Sequence, residues 1–250
     1  MSVTPFFSTA LGQIWHGDCL HLMSDIPDHS VYLILCDLPY GTTKCAWDSI
    51  IPFEQLWTQY KRVIKPNHPI VLFGSQPFSS MLVASNIKMF KYEWIWHKSK
   101  SGSAFTAQYR PVNKHENILV FGEGRLPYYP QMTEGDPYTR THRVADTDIN
   151  NHKLGFNKKE AMTTNTGVRY PTTVQFFQQK WRRQDQLHPT QKPVELCAYL
   201  IQTYTQEGAL VLDNCAGSCT TGVACENTNR RWLCIEKELQ YCEIGRQRLC

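Results

Sequence analysis

The sequence lacks a strong excess of charge of either sign, and it lacks long apolar runs. Its 250 residues carry a formal net charge of only +4, which neither requires nor excludes a nucleic-acid partner. No run approaches the roughly 18 consecutive apolar residues that span a membrane. The first residues show no basic stretch followed by an apolar one, as a secretory signal would. We therefore expect a cytoplasmic protein that does not enter a membrane.

The ten cysteines lack the paired C-x2-C spacing of structural zinc sites. Those that follow Cys215 and Cys219 are irregularly spaced, and thiols stay free in a reducing cytoplasm. We therefore predict no metal site and interpret the cysteines as small buried hydrophobic residues, with a structural zinc as the alternative.

Continuous apolar runs, rather than alternating ones, predict buried strands of a mostly parallel sheet. These runs are Val31–Cys36, Ile70–Phe73, Tyr92–Trp96, Asn117–Phe121, Ala209–Leu212 and Trp232–Ile235. Helices are predicted at Phe53–Ile64, Pro193–Tyr204, Thr220–Asn227 and Glu238–Leu249. Strands that alternate with helices indicate an α/β fold, an open sheet with helices on both faces.

The segment of residues 123–187 breaks this pattern. It holds ten Lys and Arg against seven Asp and Glu, with aromatic and amide residues interspersed. An unstructured loop of this length inside a compact domain is uncommon unless it has a function. We therefore predict one domain made of residues 1–122 and 188–250 and an inserted functional segment, with a merely solvated insertion as the alternative.

A loop of small residues, Ala216–Ser218, follows a predicted strand that ends at Asp213 and leads into a predicted helix. Open α/β sheets bind ligands at such places, and Gly217 would let a ligand approach the backbone. A second predicted strand ends at Glu236, where an acidic residue commonly binds the ribose hydroxyls of a nucleoside cofactor. The G-x-G-x-x-G pattern of dinucleotide sites is missing, and a tight turn without a ligand is the alternative.

Several motifs together resemble a known family. Asp37-Leu38-Pro39-Tyr40-Gly41 follows a predicted strand and resembles the D-P-P-Y motif of DNA amino-methyltransferases, and the loop after Asp213 resembles that family's D-x-F-x-G-S-G-T cofactor loop. The flanking segments resemble the G-D-C segment, the lining of the target-base cleft and the H-P-T-Q-K-P motif of the family. These segments are Trp15–Cys19, Trp96–Ser99, Arg110-Pro111, Lys114–Asn117 and His188–Pro193. The order is that of the circularly permuted beta group, and the resemblance covers nearly the whole chain outside residues 123–187.

The resemblance implies a Rossmann-like methyltransferase fold, S-adenosylmethionine as the cofactor and double-stranded DNA as the substrate, with residues 123–187 as the target recognition region. The implied catalytic residues are Asp37, Leu38, Pro39 and Tyr40. The implied cofactor-binding residues are Asp18, Cys19, Asp37, Lys192, Asp213, Gly217, Ser218, Thr220, Thr221 and Glu236. The implied DNA-binding residues are Tyr40, Lys98, Arg110, Lys114 and His115.

The flanking residues also have plainer interpretations. Asp18 suits the N-cap of a helix, and Arg110, Lys114 and His115 suit a solvated loop. Lys192-Pro193 suits the start of a helix, since proline fits the first turn.

Two positions depart from the family pattern. Leu38 stands where the family usually has proline, but leucine supplies the same backbone carbonyl. Cys219 stands where the cofactor loop usually has a second glycine. Its thiol must then fit beside the cofactor, or its backbone must avoid a positive φ.

The favoured activity is methylation of adenine N6 on a base that has left the duplex. Tyr40 would stack on the base, while the Asp37 carboxylate and the Leu38 carbonyl would accept the two amine N–H bonds. Cytosine N4 is the first alternative, although by family tendency those enzymes more often carry Ser at position 37. The others are a catalytically weak DNA-binding subunit and a methyltransferase of RNA or protein. Many relatives dimerise, and we expect a restriction-modification role at the nucleoid of a prokaryotic cell or a phage-infected host.

Overall fold

A computed structural model describes residues 3–41, 48–101, 107–145, 158–179 and 191–250. Nine of its strands form one sheet: β1 (Phe7–Ser8), β2 (Gly12–His16), β3 (Leu33–Cys36), β4 (Ile70–Gly74), β5 (Phe90–Lys98), β6 (His115–Phe121), β11 (Val174–Phe177), β12 (Leu210–Asp213) and β13 (Arg231–Glu236). The helices are α1 (Cys19–Leu22), α2 (Phe53–Val63), α3 (Phe78–Ser85), α4 (Val194–Tyr204), α5 (Thr220–Asn227) and α6 (Leu239–Leu249).

The strand order of the large sheet is β1-β2-β13-β12-β3-β4-β6-β5-β11. The pairs from β2 to β4 and the pair of β5 with β11 are parallel. Strand β6 runs antiparallel to both β4 and β5. The expected mostly parallel α/β fold is confirmed, but the expectation that Asn117–Phe121 is parallel to its neighbours is wrong. A continuous apolar run reports burial on both faces, and burial does not fix the direction of the strand.

Two hydrophobic cores cover the two faces of this sheet, as the expected helices on both faces require. One core packs Leu56, Tyr60 and Phe78 of α2 and α3 against the sheet. The other packs Leu200 of α4 and Cys225 of α5 against the opposite face. Alternate residues of a strand enter different cores, since successive side chains point to opposite faces.

A second compact unit comprises residues 130–172, inside the predicted inserted segment. Its described part contains two antiparallel pairs of strands: β7 (Thr133–Glu134) with β10 (Val168–Arg169), and β8 (Tyr138–Ala145) with β9 (Lys158–Asn165). We call the β8–β9 pair the ribbon. Tyr138–Thr141 and Met162–Thr164 of the ribbon are exposed.

The described cysteines are free thiols, and all of them except Cys215 and Cys250 are buried. No group of three or more metal-ligating side chains lies together within the described ranges. Nor does any described helix have the length and hydropathy to cross a membrane.

Candidate active site

Polar residues from five strands meet at one edge of the large sheet. Asp37 follows β3, Asp213 ends β12 and Glu236 ends β13, so the parallel pairing brings these three carboxylates to the same edge. Lys98 ends β5 there as well. Because β6 is antiparallel, its start lies at this edge too, and the register pairs Glu116 with Trp96. The loops after β3 and β12 leave the sheet at its topological switch point, where open α/β sheets bind ligands.

A pocket of about 370 Å³ opens at this edge. All predicted catalytic and cofactor-binding residues line it: Asp18, Cys19, Asp37, Leu38, Pro39, Tyr40, Lys192, Asp213, Gly217, Ser218, Thr220, Thr221 and Glu236. Lys98 and Glu116 line it as well. The structure therefore brings together residues as far apart in the chain as Asp18 and Glu236.

One half of the pocket is built around Glu236 and Gly217. The Gly217 N–H donates to Glu236 Oε2 at 2.7 Å, and the Glu238 N–H donates to Oε1 at 2.8 Å. Gly217 has φ 50°, a left-handed conformation that suits glycine. Burial raises the pKa of Glu236 to about 7, against the opposing effect of these two N–H donors. Among the described residues, the groups that donate hydrogen bonds to this carboxylate are therefore uncharged backbone N–H groups.

Asp213 occupies the neighbouring strand end. Its Oδ2 accepts from the Thr221 hydroxyl at 2.7 Å, and its Oδ1 accepts from the Cys215 N–H at 3.1 Å. Burial raises the pKa of Asp213 to about 6. Two buried carboxylates in one half of the pocket favour a ligand that brings hydrogen-bond donors and positive charge.

Asp18 serves as the N-cap of α1, the plainer of its two interpretations. Its Oδ1 accepts from the Leu20 N–H at 3.0 Å and the His21 N–H at 3.3 Å. The predicted cofactor contact of Asp18 stays a prediction, and the cap holds the carboxylate at the pocket wall in either case.

The departure at Cys219 is resolved differently from either expectation. Its backbone is left-handed, with φ 56°, and its side chain is fully buried. The thiol lies in the core on the side of α6, where a Cβ added to Gly245 would lie 2.5 Å from the Cys219 Sγ. The sulfur is therefore not part of the pocket lining, and Gly245 makes room for it.

The other half of the pocket is built around Asp37. Its Oδ1 accepts from the Tyr40 hydroxyl at 2.7 Å, and its Oδ2 accepts from the Lys192 ammonium at 2.5 Å. Burial raises the pKa of Asp37, and the Lys192 charge opposes the rise. The Tyr40 ring stacks on Phe78 with a centroid distance of 5.0 Å. The Leu38 side chain is buried in the core, which accounts for an apolar residue at this position.

Lys192 bridges two carboxylates. In addition to Asp37, its ammonium lies 3.3 Å from Glu116 Oε2, and Lys98 donates to Glu116 Oε1 at 3.0 Å. Burial alone raises the pKa of Glu116, but the charges of Lys192 and Lys98 outweigh it and lower the pKa. Burial alone lowers the pKa of Lys192, and the two carboxylates raise it above the usual range. The four groups form one row of alternating charge: Asp37, Lys192, Glu116, Lys98.

The predicted DNA-binding residues are distributed over two places. Tyr40 and Lys98 lie in the pocket. Arg110, Lys114 and His115 are exposed, outside the pocket lining, on the segment that leads into β6. His188, Pro189 and Thr190 of the predicted motif, and Lys180, Arg182 and Arg183 of the predicted recognition region, lie outside the described residues.

Sequence reasoning missed several residues that support the site. Glu116 lies inside the segment Lys114–Asn117, which resembles the lining of the target-base cleft, but it is not among the implied site residues. Phe78 begins a helix with no amphipathic stripe. The hydroxyl of Tyr60, a residue of α2, donates to Asn214 Oδ1 at 2.6 Å and so holds the loop after β12. Arg248 donates to Ser218 O at 2.5 Å from the last turn of α6. The resemblance of Lys114–Asn117 to the cleft lining was the signal that could have identified Glu116.

The chain is similar to known DNA methyltransferases along most of its length. A family model described as DNA methylase matches residues 31–247. The type II methyltransferase M2.MboI of Moraxella bovis is 25% identical over 276 residues, which cover 99% of this chain and 92% of that protein.

Two solved structures share the fold. The M1.HpyAVI–SAM complex has a TM-score of 0.66 and 22% identity, and the match covers 96% of this chain and 99% of that one. The cytosine-N4-specific PvuII DNA methyltransferase has a TM-score of 0.68 and 16% identity, with 98% and 89% of the two chains covered.

Proposed function

The chain belongs to the DNA methylase family of N6 and N4 amino-methyltransferases, and within it we propose that the chain methylates adenine N6 in double-stranded DNA at a specific sequence. The observation that carries the proposal is the placement of Asp37 and the Leu38 backbone in the wall of the same pocket as Asp213, Gly217 and Glu236. An acceptor pair for an amine and a set of groups suited to a nucleoside cofactor thus share one cavity.

S-adenosylmethionine is the cofactor, and it supplies a methyl group on a positively charged sulfonium. The pocket fits such a molecule, because Asp213 and Glu236 offer buried carboxylates to its donors and Gly217 presents backbone without a side chain. Glu236 would accept the ribose hydroxyls, and Asp18 would contact the adenine. The remaining residues of the predicted set are Cys19, Asp37, Lys192, Ser218, Thr220 and Thr221.

The chain's own task is to prepare the amine. Its lone pair is delocalised into the base ring, so it is a weak nucleophile. Hydrogen bonds from the amine to the Asp37 carboxylate and the Leu38 carbonyl would draw the lone pair out of the ring and aim it, and Asp37 would stabilise the positive charge that develops on nitrogen. Pro39 fixes the turn that presents this carbonyl. The base would stack on the Tyr40 face opposite Phe78.

The choice of adenine rests on Asp37. A carboxylate accepts a hydrogen bond and stabilises developing positive charge, whereas the hydroxyl of the serine more frequent in cytosine N4 enzymes carries no charge. Cytosine N4 is the second candidate, because the PvuII enzyme, whose fold matches this one, is cytosine-N4-specific. A catalytically weak DNA-binding subunit is the third.

Residues 123–187 are proposed to recognise the target sequence. The ribbon exposes Tyr138, Arg140 and Met162, and the major groove of DNA admits a two-stranded β-ribbon. Arg110, Lys114 and His115 would contact DNA as well. Homodimer formation, a restriction-modification role and a cytoplasmic location at the nucleoid complete the proposal.

The test is nucleoside analysis of duplex DNA after incubation with the protein and isotope-labelled S-adenosylmethionine. N6-methyladenine is the expected product. N4-methylcytosine would establish the second candidate. Tight DNA binding without any methylated base would establish the third, while label in RNA or protein alone would contradict all of them.

A further inference from the structure

Glu116 is a largely buried carboxylate, and one of its two oxygens accepts no hydrogen bond among the described residues. Its side chain is 15% exposed. Oε1 accepts from Lys98, whereas Oε2 is buried and makes no hydrogen bond within the part of the chain that the structure describes. The Lys192 ammonium lies 3.3 Å from Oε2, as an ion pair without the alignment of a hydrogen bond. Buried acceptors are nearly always satisfied, so this one indicates a second position for a donor.

The same ammonium blocks Asp37. The Tyr40 hydroxyl and the Lys192 ammonium occupy its two oxygens at 2.7 and 2.5 Å. A target amine that binds Oδ2 therefore competes with Lys192 for this oxygen. A buried cation needs another anion when it moves, and Glu116 Oε2 is already beside it.

We propose that Glu116 is a positioning residue that takes over the Lys192 ammonium when the target amine binds Asp37, and that Lys98 holds Glu116 in place for this exchange. The inference rests on the proposed function only in naming an amine as the incoming group. Glu116 touches neither base nor cofactor in this scheme and acts through Lys192.

The exchange predicts opposite effects of the two flanking charges on Asp37. Glu116 raises the pKa of Asp37, and Lys192 lowers it. Loss of the Glu116 charge should therefore lower the pKa of Asp37, and the Lys192 ammonium should stay bound to the Asp37 carboxylate. Loss of the Lys98 charge should draw Lys192 toward Glu116 and raise the pKa of Asp37. The titratable and charged groups that face this row are Cys36, Tyr40, Lys98, Glu116, Lys192, Cys197 and Asp213.

The experiment measures kcat against pH at saturating DNA and S-adenosylmethionine, and the 13C carboxyl titration of Asp37 in the cofactor-free protein, assigned with Asp37→Asn. Glu116→Gln should lower kcat at least fivefold and move the acid limb of the profile down by roughly 0.5–1 pH unit. Lys98→Met should move the limb up. Glu116→Asp, which keeps the charge, should leave the limb near its original position. Cofactor affinity should stay within twofold in all three.

Glu93→Gln is the matched control. Glu93 is exposed on the neighbouring strand and accepts from Asn117, the residue after Glu116, at 2.8 Å. The Glu93→Gln variant should leave both kcat and the acid limb of its pH profile unchanged.

A purely structural role for Glu116 predicts that Glu116→Gln lowers kcat equally at every pH while Asp37 titrates as before, and that result would overturn the proposal. A limb that moves in the same direction in Glu116→Gln and Lys98→Met would also overturn it. The titration needs no turnover, so it decides the role of Glu116 even if product analysis finds N4-methylcytosine or no methylated base.

Discussion

Glu236 makes the cofactor-free protein less stable as the pH rises. In the folded protein its pKa is about 7, against a usual value of 4.5. Between these two values the unfolded chain has lost the proton while the folded chain still holds it, so the folded state binds more protons and its stability falls with rising pH. At about 1.4 kcal/mol per pH unit, the loss amounts to about 3 kcal/mol. Below about pH 4.5 and above about pH 7, the contribution of Glu236 to the free energy of unfolding does not change with pH.

Glu236→Gln should remove this pH dependence. The glutamine cannot accept from both the Gly217 and Glu238 N–H groups, which costs about 1–3 kcal/mol, but this cost is the same at every pH. Part of the loss has already occurred by pH 5, so the change in unfolding free energy caused by the substitution should be about 2.5 kcal/mol more favourable near pH 8 than near pH 5. The same variant should bind S-adenosylmethionine more weakly, by roughly 1–3 kcal/mol, because a charge-assisted bond to the ribose is lost.

Urea unfolding followed by tryptophan fluorescence, without cofactor, measures the first quantity at both pH values, and calorimetry measures the second. Glu207→Gln, which removes an exposed carboxylate, serves as the control. A pH-dependent difference within the roughly 0.5 kcal/mol of an ordinary surface substitution would refute the burial argument. Unchanged cofactor affinity would refute the ribose contact and leave the burial argument intact.

Asp37→Ala should abolish methyl transfer while cofactor and duplex still bind in filter and calorimetric assays, and substantial turnover by the folded variant would contradict the mechanism. Cys219→Gly should keep the cofactor affinity, because the thiol lies in the core, and its stability should change by no more than about 1 kcal/mol, since relief of the left-handed backbone offsets the lost packing. A large loss of affinity would mean that the thiol has a further role. Arg140→Ala should change the methylated sequence in genomic methylation mapping, or lower affinity on all sequences and reduce the salt slope by about one; no change in either would exclude the ribbon from DNA recognition.

Six strands of the large sheet could be predicted from sequence. Strands β3, β4, β6, β12 and β13 are mostly buried on both faces and, like β5, contain continuous apolar runs. The same property hides strand direction, so the antiparallel direction of β6 could not be predicted from its apolar run. Helix α3 was missed because Phe78–Ser85 has apolar residues around its whole circumference and little periodicity.

The ribbon escaped prediction for the opposite reason. Tyr138–Thr141 and Met162–Thr164 are exposed without alternation, and alternation is the signal by which a half-buried strand is recognised in sequence. The pocket residues could be chosen because each predicted motif follows a strand, and parallel strands bring their ends together. The bonds among them, such as Lys192 between Asp37 and Glu116, depend on rotamers and on segments far apart in the chain.

The position of β12 and β13 affects how the protein is made in the cell. These two strands come from residues 210–236, yet they lie in the middle of the sheet, between β2 and β3. When β2 and β3 have been synthesised, the two strands that lie between them in the sheet do not yet exist. The facing edges of β2 and β3 therefore stay unpaired during most of synthesis. The sheet can close only after translation of residue 236, and interrupted chains should accumulate as aggregates rather than as inactive folded fragments. A series of released chains truncated before and after this residue should show protease resistance only in the longer chains.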